Sequence, residues 1–438
     1  MVPTDPLLIE PIPHPLHAVV TLPGSKSITN RALVCAALAD GASLLTNALH
    51  ADDTEAMVEG LEALGVSIRA DWSRGQLAVE GCAGRPVADV ALVDARQSGT
   101  TSRFLLPVAG LGAGLRRVDA SNRMRERPMG EALDAVRALG AEVREVGAPG
   151  HLPAEVVGGS LLGGEVRVRG DVSSQFVSGL LLAGPAMPRG LVVTVTGPLV
   201  SRPYVALTEA VMADFGVAVQ RPDDSTWAVA PQPYRGTDLH IEPDATAASY
   251  VFAMAALLGG EVTVRGLGRD ARQGDLAFVD VLEQMGAQVE RGAAATTVRG
   301  TGALHGVEVD LSQISDTAQT LAVVAAFADG PTRATGIGFI RSKETDRIGA
   351  VVAELRRLGV EAVEEADGFV VHPGPMRATT VQTYDDHRMA MSFALAGLRV
   401  PGIHIADPGC VAKTFPGYWR LLEELRSPTG GGAMVHPS

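Results

Sequence analysis

Lysine is the rarest charged residue in this chain, so its few positions are the first to examine for chemistry. Of the 37 basic residues only Lys26, Lys343 and Lys413 are lysine, and the other 34 are arginine. An ammonium group is compact and can give up a proton, which a guanidinium does not do. Each of the three lies within a polar, charge-dense motif. We therefore predict that they serve binding or catalysis.

The first motif, LPGSKSITNRALVCAALADG, spans residues 22–41. Its Pro-Gly pair is expected to end a strand, and the apolar spacing that follows predicts a helix from about Ser27. Lys26 and Ser27 then lie at a helix N-terminus, where backbone N–H groups and the helix dipole favour anions, and Arg31 lies one turn further. The motif lacks the glycine directly before lysine that the Walker pattern requires, which argues against nucleoside triphosphates. A capped surface helix is the alternative.

Two arginine-containing motifs follow in the first half of the chain. In QSGTTSRFLLP, Gly99 permits close backbone approach and Arg103 lies one helical turn on. In SNRMRERPMG, Arg123, Arg125 and Arg127 alternate. Alternate residues of an extended segment share a face, so these guanidinium groups are predicted to crowd around an anion. The alternative for the first motif is a Gly-rich turn that leads into a helix, and the alternative for the second is a solvated loop.

Hydroxyl side chains are concentrated in two further segments. Ser173 and Ser174 are predicted N-caps of a helix, with Gln175 able to bond a hydroxyl-rich ligand. Ser201 and Tyr204 form the second group. Capping alone is the alternative for the serines.

In the second half, charged residues occur before or within predicted helices. Asp316 precedes an Ala/Val helix, where capping is a sufficient structural reason for an aspartate. Lys343 and Arg347 are spaced i, i+4, a like-charge pair that needs an offset, with Glu344 beside them. Arg388, in YDDHRM, precedes an apolar helix, and Lys413 lies in a Pro/Gly-bounded loop.

A repeat organises the chain around these motifs. A helical pattern ends in glycine and runs into an alternating stretch five times, at Gly65, Gly140, Gly216, Gly286 and Gly359. Such glycines are typical left-handed C-caps, and the alternation predicts strands. The mean spacing near 73 residues predicts about six units, and chain size favours two groups of three with a cleft between them. The Pro/Gly-rich segment 231–244 is the hinge candidate.

Composition excludes several classes of function. The net charge of −13 argues against nucleic acid or an anionic membrane as partner. The apolar stretches are shorter than a membrane helix, and the N-terminal sequence resembles no signal peptide. Cys35, Cys82 and Cys410 have no metal-ligand spacing, so we expect a cytoplasmic protein with neither metal nor cofactor.

Taken in order, the motifs PGSKS, SGTTSR, RERP, SSQF, SRPY, SKETDR, DDHRM and KTFP resemble the EPSP synthase family over nearly the whole chain. The resemblance implies an α/β, two-domain inside-out barrel of six βαβαββ-type subdomains with the active site in the interdomain cleft. Residues 1–22 would join 241–438 in one domain, and 23–240 would form the other. It also implies a monomer that transfers the enolpyruvyl group of phosphoenolpyruvate to shikimate 3-phosphate.

The resemblance further implies residue roles. Shikimate 3-phosphate would contact Lys26, Ser27, Arg31, Ser173, Ser174, Gln175, Ser201, Tyr204, Asp316 and Lys343. Phosphoenolpyruvate would contact Lys26, Gly99, Arg127, Gln175, Arg347, Arg388 and Lys413, with Glu344 and Arg103 close by. Asp316 would act as the base, and Lys26, Glu344 or Lys413 as the acid.

Two positions depart from the family pattern. Gln97 stands where Asn is frequent, and Phe339 stands where a polar residue commonly contacts the substrate, so Phe339 is left out of the predicted site. Gly99 suggests a pocket open to glyphosate, a prediction that Gln97 complicates. Two alternatives remain: a UDP-N-acetylglucosamine 1-carboxyvinyltransferase, whose family uses a cysteine that is missing from the loop before Arg127, and a non-catalytic anion-binding scaffold.

Overall fold

The computed structural model describes residues 4–426 and 434–435. The chain divides into two compact units, one formed by Met1–Pro23 with Glu242–Ser438 and the other by Gly24–Ile241. We call these unit 1 and unit 2. The expected division was 1–22 with 241–438 against 23–240.

Helices and strands alternate through both units. The α-helices of the described residues are α1 Lys26–Leu38, α2 Asp52–Ala63, α3 Gly99–Ala109, α4 Asn122–Arg125, α5 Gly130–Ala138, α6 Ser174–Ala183, α7 Pro203–Asp214, α8 Ala245–Leu258, α9 Phe278–Gln284, α10 Ala318–Ala325, α11 Arg347–Arg357, α12 His387–Gly397 and α13 Tyr418–Arg426. The strands are β1 Leu7–Leu8, β2 Leu16–Val20, β3 Ala39–Asp40, β4 Ala42–Thr46, β5 Ser67–Asp71, β6 Gln76–Glu80, β7 Val90–Asp94, β8 Gly114–Asp119, β9 Glu142–Glu145, β10 Ala154–Gly158, β11 Gly164–Arg169, β12 Leu191–Thr196, β13 Gln220–Asp223, β14 Thr226–Val229, β15 Tyr234–Arg235, β16 Leu239–His240, β17 Gly260–Arg265, β18 Gln288–Arg291, β19 Ala295–Gly300, β20 Glu308–Asp310, β21 Thr332–Thr335, β22 Glu361–Glu365, β23 Gly368–His372, β24 Thr380–Val381, β25 His404–Ile405 and β26 Met434–Val435.

One sheet pattern recurs through the chain. In β7-β8-β10-β9, the first pair is parallel and the other two pairs are antiparallel. The same pattern builds β11-β12-β14-β13, β16-β4-β6-β5 and β20-β21-β23-β22, and it builds the β2-β17-β19-β18 part of the fifth sheet, to which β26 adds. The sixth sheet, β1-β25-β24, has three strands. The predicted repeat is therefore present, with its last copy shortened.

The five predicted helix-ending glycines all have a left-handed backbone. Their φ angles lie between 81° at Gly216 and 106° at Gly286, and each follows a helix and precedes a strand. Glycine adopts this region without the steric cost that a Cβ brings. The sequence spacing therefore located the second helix of each complete repeat.

The first helix of each repeat is buried on all sides. In unit 2 these inner helices are α1, α3 and α6, and in unit 1 they are α8, α10 and α12. Small Ala, Ser, Thr and Gly side chains allow such close packing, in agreement with the low aromatic content of 4%. Polar residues near the N-terminal ends of these helices are therefore buried, which is unusual and marks them for function.

Two further segments bear on the organisation of the repeats. The final helix, α13, is followed by β26, which pairs in parallel with β2. The hinge candidate 231–244 contains the boundary between the units, which lies between Ile241 and Glu242, and its strands β15 and β16 pair with β3 and β4 of unit 2. In the part of the chain that the structure describes, no helix is long and apolar enough to cross a membrane.

Candidate functional site

The inner helices of unit 2 begin with capped first turns, which are suited to bind anions. The hydroxyls of Ser25, Ser98 and Ser173 accept hydrogen bonds from backbone N–H groups at the starts of α1, α3 and α6. Lys26, the first residue of α1, forms an ion pair of 3.0 Å with Asp53 of α2. The capping residue of α1 is thus Ser25, which leaves the hydroxyl of Ser27 in the first turn outside the cap.

Arg31 of α1 is buried, and its guanidinium group donates hydrogen bonds to neutral oxygens. Its Nε donates to Thr208 Oγ1 at 2.8 Å, and its Nη atoms donate to the carbonyls of Ser27 at 2.8 Å and Tyr204 at 3.0 Å. The rings of Phe104 and Tyr204 lie 5.1 and 5.8 Å from its Cζ and supply cation–π attraction. Burial lowers the pKa of Arg31 to about 10, so the group remains a cation at neutral pH.

Arg103 connects two inner helices beside Gly99. Its Nη1 donates to Gln175 Oε1 at 2.9 Å, which joins α3 to the start of α6. A Cβ placed on Gly99 would lie 2.6 Å from Arg103 Nη1 and 3.1 Å from Arg127 Nη1. Two guanidinium groups therefore converge on the first residue of α3. Glycine is required there for their close approach.

The remaining predicted residues of unit 2 lie around these helix starts. Ser174 is the first residue of α6 and is buried, while Ser173 precedes it as the cap. Ser201 is buried just before α7 and has a φ of 51°, a strained conformation for a residue with a Cβ. The Tyr204 ring lies over Arg31.

The prediction that Arg123, Arg125 and Arg127 share one face is wrong. Ser121 caps a helical turn, α4, so the segment is not extended. Arg123 pairs with Glu126 and Arg125 pairs with Asp119 on exposed surface, whereas Arg127 is buried. Arg127 alone joins the cluster at Gly99.

In unit 1, Asp316 is the centre of an ion-pair cluster. It lies in a 3-10 turn directly before α10, whose N-cap residue is Thr317. Its Oδ1 lies 2.7 Å from Lys343 Nζ and 3.2 Å from Arg347 Nη1, and its Oδ2 lies 2.7 Å from Arg388 Nη2. These three ion pairs show an electrostatic role for Asp316 beyond that of a helix cap.

Arg347 links Asp316 to two further carboxylates. It forms a bidentate pair with Asp386, at 2.7 and 3.2 Å, and an ion pair of 2.9 Å with Glu344. Asp386 also caps α12 by accepting from the backbone N–H of Arg388 at 2.9 Å. Bidentate pairs fix guanidinium geometry, so Arg347 is held in place.

The lysines of unit 1 belong to the same network. Lys343 Nζ forms an ion pair with Asp316 and lies 5.5 Å from the ring centroid of Phe339. Lys413 is buried, with its ammonium 3.9 Å from Glu344. The predicted i, i+4 helical pair is wrong, because Asp346 caps α11 and Lys343 lies before the helix begins. The Pro/Gly-bounded loop expected for Lys413 forms a 3-10 turn, Pro408–Lys413.

The network shifts the pKa values of its members. Burial alone would raise the pKa of Asp316, but Arg388, Lys343 and Arg347 together hold that pKa well below its usual range. Burial lowers the pKa of Lys343, and Asp316 opposes this shift. Burial would lower the pKa of Arg347, but the carboxylates of Asp386, Glu344 and Asp316 outweigh burial and raise this pKa above its usual value. Asp316 is therefore a weak base while these cations surround it.

Sequence reasoning missed two carboxylates. Asp386 belongs to the recognised DDHRM motif, but its role as partner of Arg347 was not predicted. Asp53 lies in no motif that drew attention, and its pairing with Lys26 depends on the packing of α2 on α1. Within residues 4–426 and 434–435, no group of three or more His, Cys, Asp or Glu side chains is arranged to hold a metal ion.

Comparisons with known proteins show the family to which the chain belongs. Residues 11–422 match the family EPSP synthase (3-phosphoshikimate 1-carboxyvinyltransferase). The chain is 44% identical to a 3-phosphoshikimate 1-carboxyvinyltransferase of Trichormus variabilis, over 95% of this chain and 98% of the relative. It is 46% identical to that of Methanosphaerula palustris, over 93% and 96%.

Solved structures show the same fold. The EPSP synthase of Acinetobacter baumannii superposes with a TM-score of 0.81 at 26% identity, covering 96% of this chain and 98% of that chain. The enolpyruvyl transferase NikO of Streptomyces tendae is similar in fold, with a TM-score of 0.73 at 22% identity over 97% of each chain. The two-domain α/β fold predicted from the sequence is confirmed. With a family match over most of its length, this chain belongs to the EPSP synthase family.

Proposed function

We propose that this protein transfers the enolpyruvyl group of phosphoenolpyruvate to the 5-hydroxyl of shikimate 3-phosphate, with release of phosphate. The observation that carries the proposal is the carboxylate of Asp316, only 16% exposed and held by Lys343, Arg347 and Arg388, in a chain of this family. The three cations around Asp316 can bind anionic groups of the substrates, and the carboxylate beside them can act as a base. A net charge of −13 makes such a local concentration of cations notable.

In unit 2, the proposed substrate-binding residues lie mainly at the starts of the inner helices. Shikimate 3-phosphate contacts hydroxyls and cations there, and phosphoenolpyruvate contacts the guanidinium groups at Gly99. Helix N-termini and fixed Arg side chains bind phosphate and carboxylate groups well. The set for shikimate 3-phosphate is Lys26, Ser27, Arg31, Ser173, Ser174, Gln175, Ser201 and Tyr204, and the set for phosphoenolpyruvate is Lys26, Gly99, Arg127 and Gln175.

Unit 1 is assigned the base and the remaining anion anchors. Asp316 and Lys343 contact shikimate 3-phosphate, while Arg347, Arg388 and Lys413 contact phosphoenolpyruvate. Substrate anions compete with Asp316 for these cations. When they bind, the carboxylate loses part of its cationic stabilisation and its pKa rises, which strengthens it as a base.

The chemistry is an addition followed by an elimination. Asp316 takes the proton of the 5-hydroxyl as that oxygen bonds to C2 of phosphoenolpyruvate, while an acid, Lys26, Glu344 or Lys413, protonates C3. The tetrahedral intermediate then loses phosphate by cleavage of its C2–O bond, and loss of a proton from the new methyl group restores the double bond. Positioned cations stabilise the charge that develops on the phosphate, and positioned acids and bases move the protons.

A phosphate-release assay tests the proposal directly. Purified protein is supplied with phosphoenolpyruvate and either shikimate 3-phosphate or UDP-N-acetylglucosamine. We expect release with the first acceptor and none above background with the second. Release with the uridine acceptor alone would overturn the assignment, and binding of both ligands without release would favour an anion-binding scaffold.

The partners follow from the same proposal. Small phosphorylated molecules are the expected ligands, and the net negative charge of the chain disfavours nucleic acid and anionic membranes. A monomeric state, which the family resemblance implied, and a cytoplasmic location, which the number and spacing of the cysteines suggested, remain predictions.

A further inference from the structure

Two adjacent residues with side chains adopt a left-handed backbone just before α12. Tyr384 and Asp385 both have a φ of 55°. The backbone N–H of Asp386 donates to the carbonyl of Thr383 at 2.9 Å, so these four residues form a turn with the φ pattern of type I′. Positive φ is strained for a residue with a Cβ, and it is rare for one as bulky as tyrosine. Such a turn persists only where the surrounding structure holds it.

The turn fixes the residues that follow it. Asp386, its last residue, is fully buried, caps α12 and binds Arg347 with both carboxylate oxygens. Arg388 lies two residues further along and pairs with Asp316 at 2.7 Å. A turn that relaxed would shift both Asp386 and Arg388, because the cap of α12 is part of the turn. The geometry of these ion pairs therefore depends on the turn.

Glu354 of α11 holds the turn. Its side chain is fully buried, and its Oε1 accepts a hydrogen bond of 2.8 Å from the Tyr384 hydroxyl. Burial and the neighbouring carboxylate raise the pKa of Tyr384 to about 12, so the phenol remains a donor at neutral pH. Hydrogen bonds to a charged acceptor are stronger than those between neutral groups. The contact can therefore hold the turn in its strained form.

Glu354 has two further donors, which attach a strand rather than the turn. The backbone N–H of Gln382 donates to Oε2 at 2.9 Å, and Arg357 Nη1 donates to Oε1 at 3.2 Å. Arg357 also donates to the carbonyl of Thr380 at 2.8 Å, which ties α11 to β24. The hydroxyl of Tyr384 extends this attachment to the turn.

A similar arrangement occurs before an inner helix of unit 2. Arg96 has a φ of 49° and lies two residues before Ser98, which caps α3. Its side chain pairs with Glu55 at 3.2 Å and with Glu59 at 2.6 Å, both on α2. In each unit, therefore, a left-handed residue two positions before an inner helix cap is tethered to a carboxylate of the preceding α-helix. An ion pair serves in one unit and a phenol in the other, so the recurring feature is the tether itself.

We propose that Glu354 and Tyr384 are positioning residues, which hold the strained turn and so orient Arg388 for phosphoenolpyruvate. This inference rests on the proposed function, in which Arg388 binds that substrate. Both residues act through Arg388 rather than on the reacting atoms. An interaction that contributes equally to the bound substrate and to the transition state changes KM and leaves kcat unchanged. Loss of the tether should therefore appear in the KM for phosphoenolpyruvate.

Tyr384→Phe tests the tether, since it removes the hydroxyl and keeps the ring. We expect the KM for phosphoenolpyruvate to rise by about three- to tenfold, while kcat and the KM for shikimate 3-phosphate change by less than about twofold. Steady-state phosphate release measures all three values. A lower kcat with both KM values unchanged would indicate a loss of folded protein alone and would overturn the proposal, as would unchanged kinetics.

Tyr418→Phe is the matched control. It removes a buried hydroxyl of the same unit, which donates to the carbonyl of Met391 at 2.7 Å. All three kinetic values should match those of wild type. A rise in the KM for phosphoenolpyruvate equal to that of Tyr384→Phe would show a general response to a lost hydroxyl and would overturn the proposal.

Glu354→Gln, alone and combined with Tyr384→Phe, tests whether the two residues act as one unit. The amide preserves the shape of the side chain and removes its charge, so the KM for phosphoenolpyruvate should rise. The double variant should resemble the more affected single variant within about twofold, because residues that act through one contact have non-additive effects. A KM change equal to the product of the two single changes would overturn the coupling.

Hydrogen exchange of the ligand-free protein separates this inference from the proposed function. The backbone amides of residues 383–388 should exchange about threefold faster or more in Tyr384→Phe than in wild type, and Tyr418→Phe should leave them unchanged. Faster exchange in a protein that releases no phosphate would support the tether and overturn only the proposed reaction. Equal exchange in a protein that releases phosphate would overturn the tether and leave the proposed reaction intact.

Discussion

Arginines of the two units are held in different ways, although Lys26 of unit 2 also pairs with a carboxylate, that of Asp53. In unit 1, carboxylates hold the guanidinium group: Arg347 pairs with Asp316, Glu344 and Asp386 within 3.2 Å. In unit 2, Arg31 and Arg103 donate mainly to neutral groups, namely hydroxyl, amide and carbonyl oxygens. The charges of unit 1 are thus largely compensated within the protein, and those of Arg31 and Arg103 are less so.

This difference assigns distinct tasks to the two units. Cations that donate to neutral oxygens retain a strong attraction for an anion, which suits unit 2 to hold substrates. Cations that already surround a carboxylate must partly release it when an anion arrives, which suits unit 1 to couple binding to the basicity of Asp316.

The largest effect is expected in unit 1 for Asp316→Asn. The amide preserves the shape of the side chain but accepts no proton, so kcat should fall by roughly 10²–10⁴-fold. Steady-state phosphate release measures it. Asp329→Asn, an exposed aspartate of the same unit, should keep wild-type turnover. A kcat for Asp316→Asn within threefold of wild type would remove Asp316 from the mechanism.

Gly99→Ala tests the convergence of guanidinium groups in unit 2. The new Cβ would lie 2.6 Å from Arg103 Nη1, so Arg103 or Arg127 must move. We expect the KM for phosphoenolpyruvate to rise by about tenfold or more, while the KM for shikimate 3-phosphate changes less. The control, Gly130→Ala, places its Cβ at an ordinary 3.6 Å from its nearest neighbour and should leave both values unchanged.

Lys413→Arg tests whether an ammonium group is needed beside Glu344. Arginine retains the positive charge but does not release a proton, so kcat should fall by roughly 10–100-fold if Lys413 moves a proton. Arg420→Lys, an exposed change in the same unit, serves as the control for basic-residue exchange. Unchanged kcat with a raised KM for phosphoenolpyruvate would assign Lys413 to binding alone.

The stability of unit 1 should depend on pH through Asp316. Its folded-state pKa lies well below the ordinary value of 3.8, so the carboxylate stabilises the fold above about pH 4, and this stability is lost as the pH falls through the folded pKa. Asp316→Asn should lower the free energy of unfolding by about 2 kcal/mol at pH 7, with a smaller difference near pH 3. Urea unfolding at both pH values measures it. An equal difference at both would contradict the depressed pKa.

The smallest effect is expected for Phe339→Leu. Loss of the ring over Lys343 removes a cation–π contact worth about 0.5–1 kcal/mol, so the KM for shikimate 3-phosphate should rise by roughly two- to fivefold. Phe327→Leu removes a similar ring contact from Arg399 and should not change KM. An unchanged KM in both variants would show that the ring does not position Lys343.

Much of the fold was accessible from local sequence signals. Gly65 and its four equivalents located the repeats because a left-handed C-cap is a local requirement. Scarce lysines and like-charge spacing drew attention to Lys343 and Arg347, and the family resemblance added Asp316 and Arg388. The structure joins these four in one network.

Other features depended on packing that the local pattern does not encode. The alternation of Arg123, Arg125 and Arg127 suggested an extended strand, yet one serine cap turned the segment into a helix. Asp53 gave no sequence signal, because its partner Lys26 is distant in the chain. The buried environment of Lys413 was missed for the same reason: a Pro/Gly-bounded loop resembles an exposed one until its neighbours are known.

The affinity of Asp316→Asn for phosphoenolpyruvate, measured calorimetrically with shikimate 3-phosphate present, tests the central claim most directly. In our account Asp316 competes with substrate anions for Lys343, Arg347 and Arg388. Its neutral replacement should therefore bind phosphoenolpyruvate as tightly as wild type or more tightly, although turnover is lost. Affinity that falls tenfold or more, in parallel with turnover, would contradict the account.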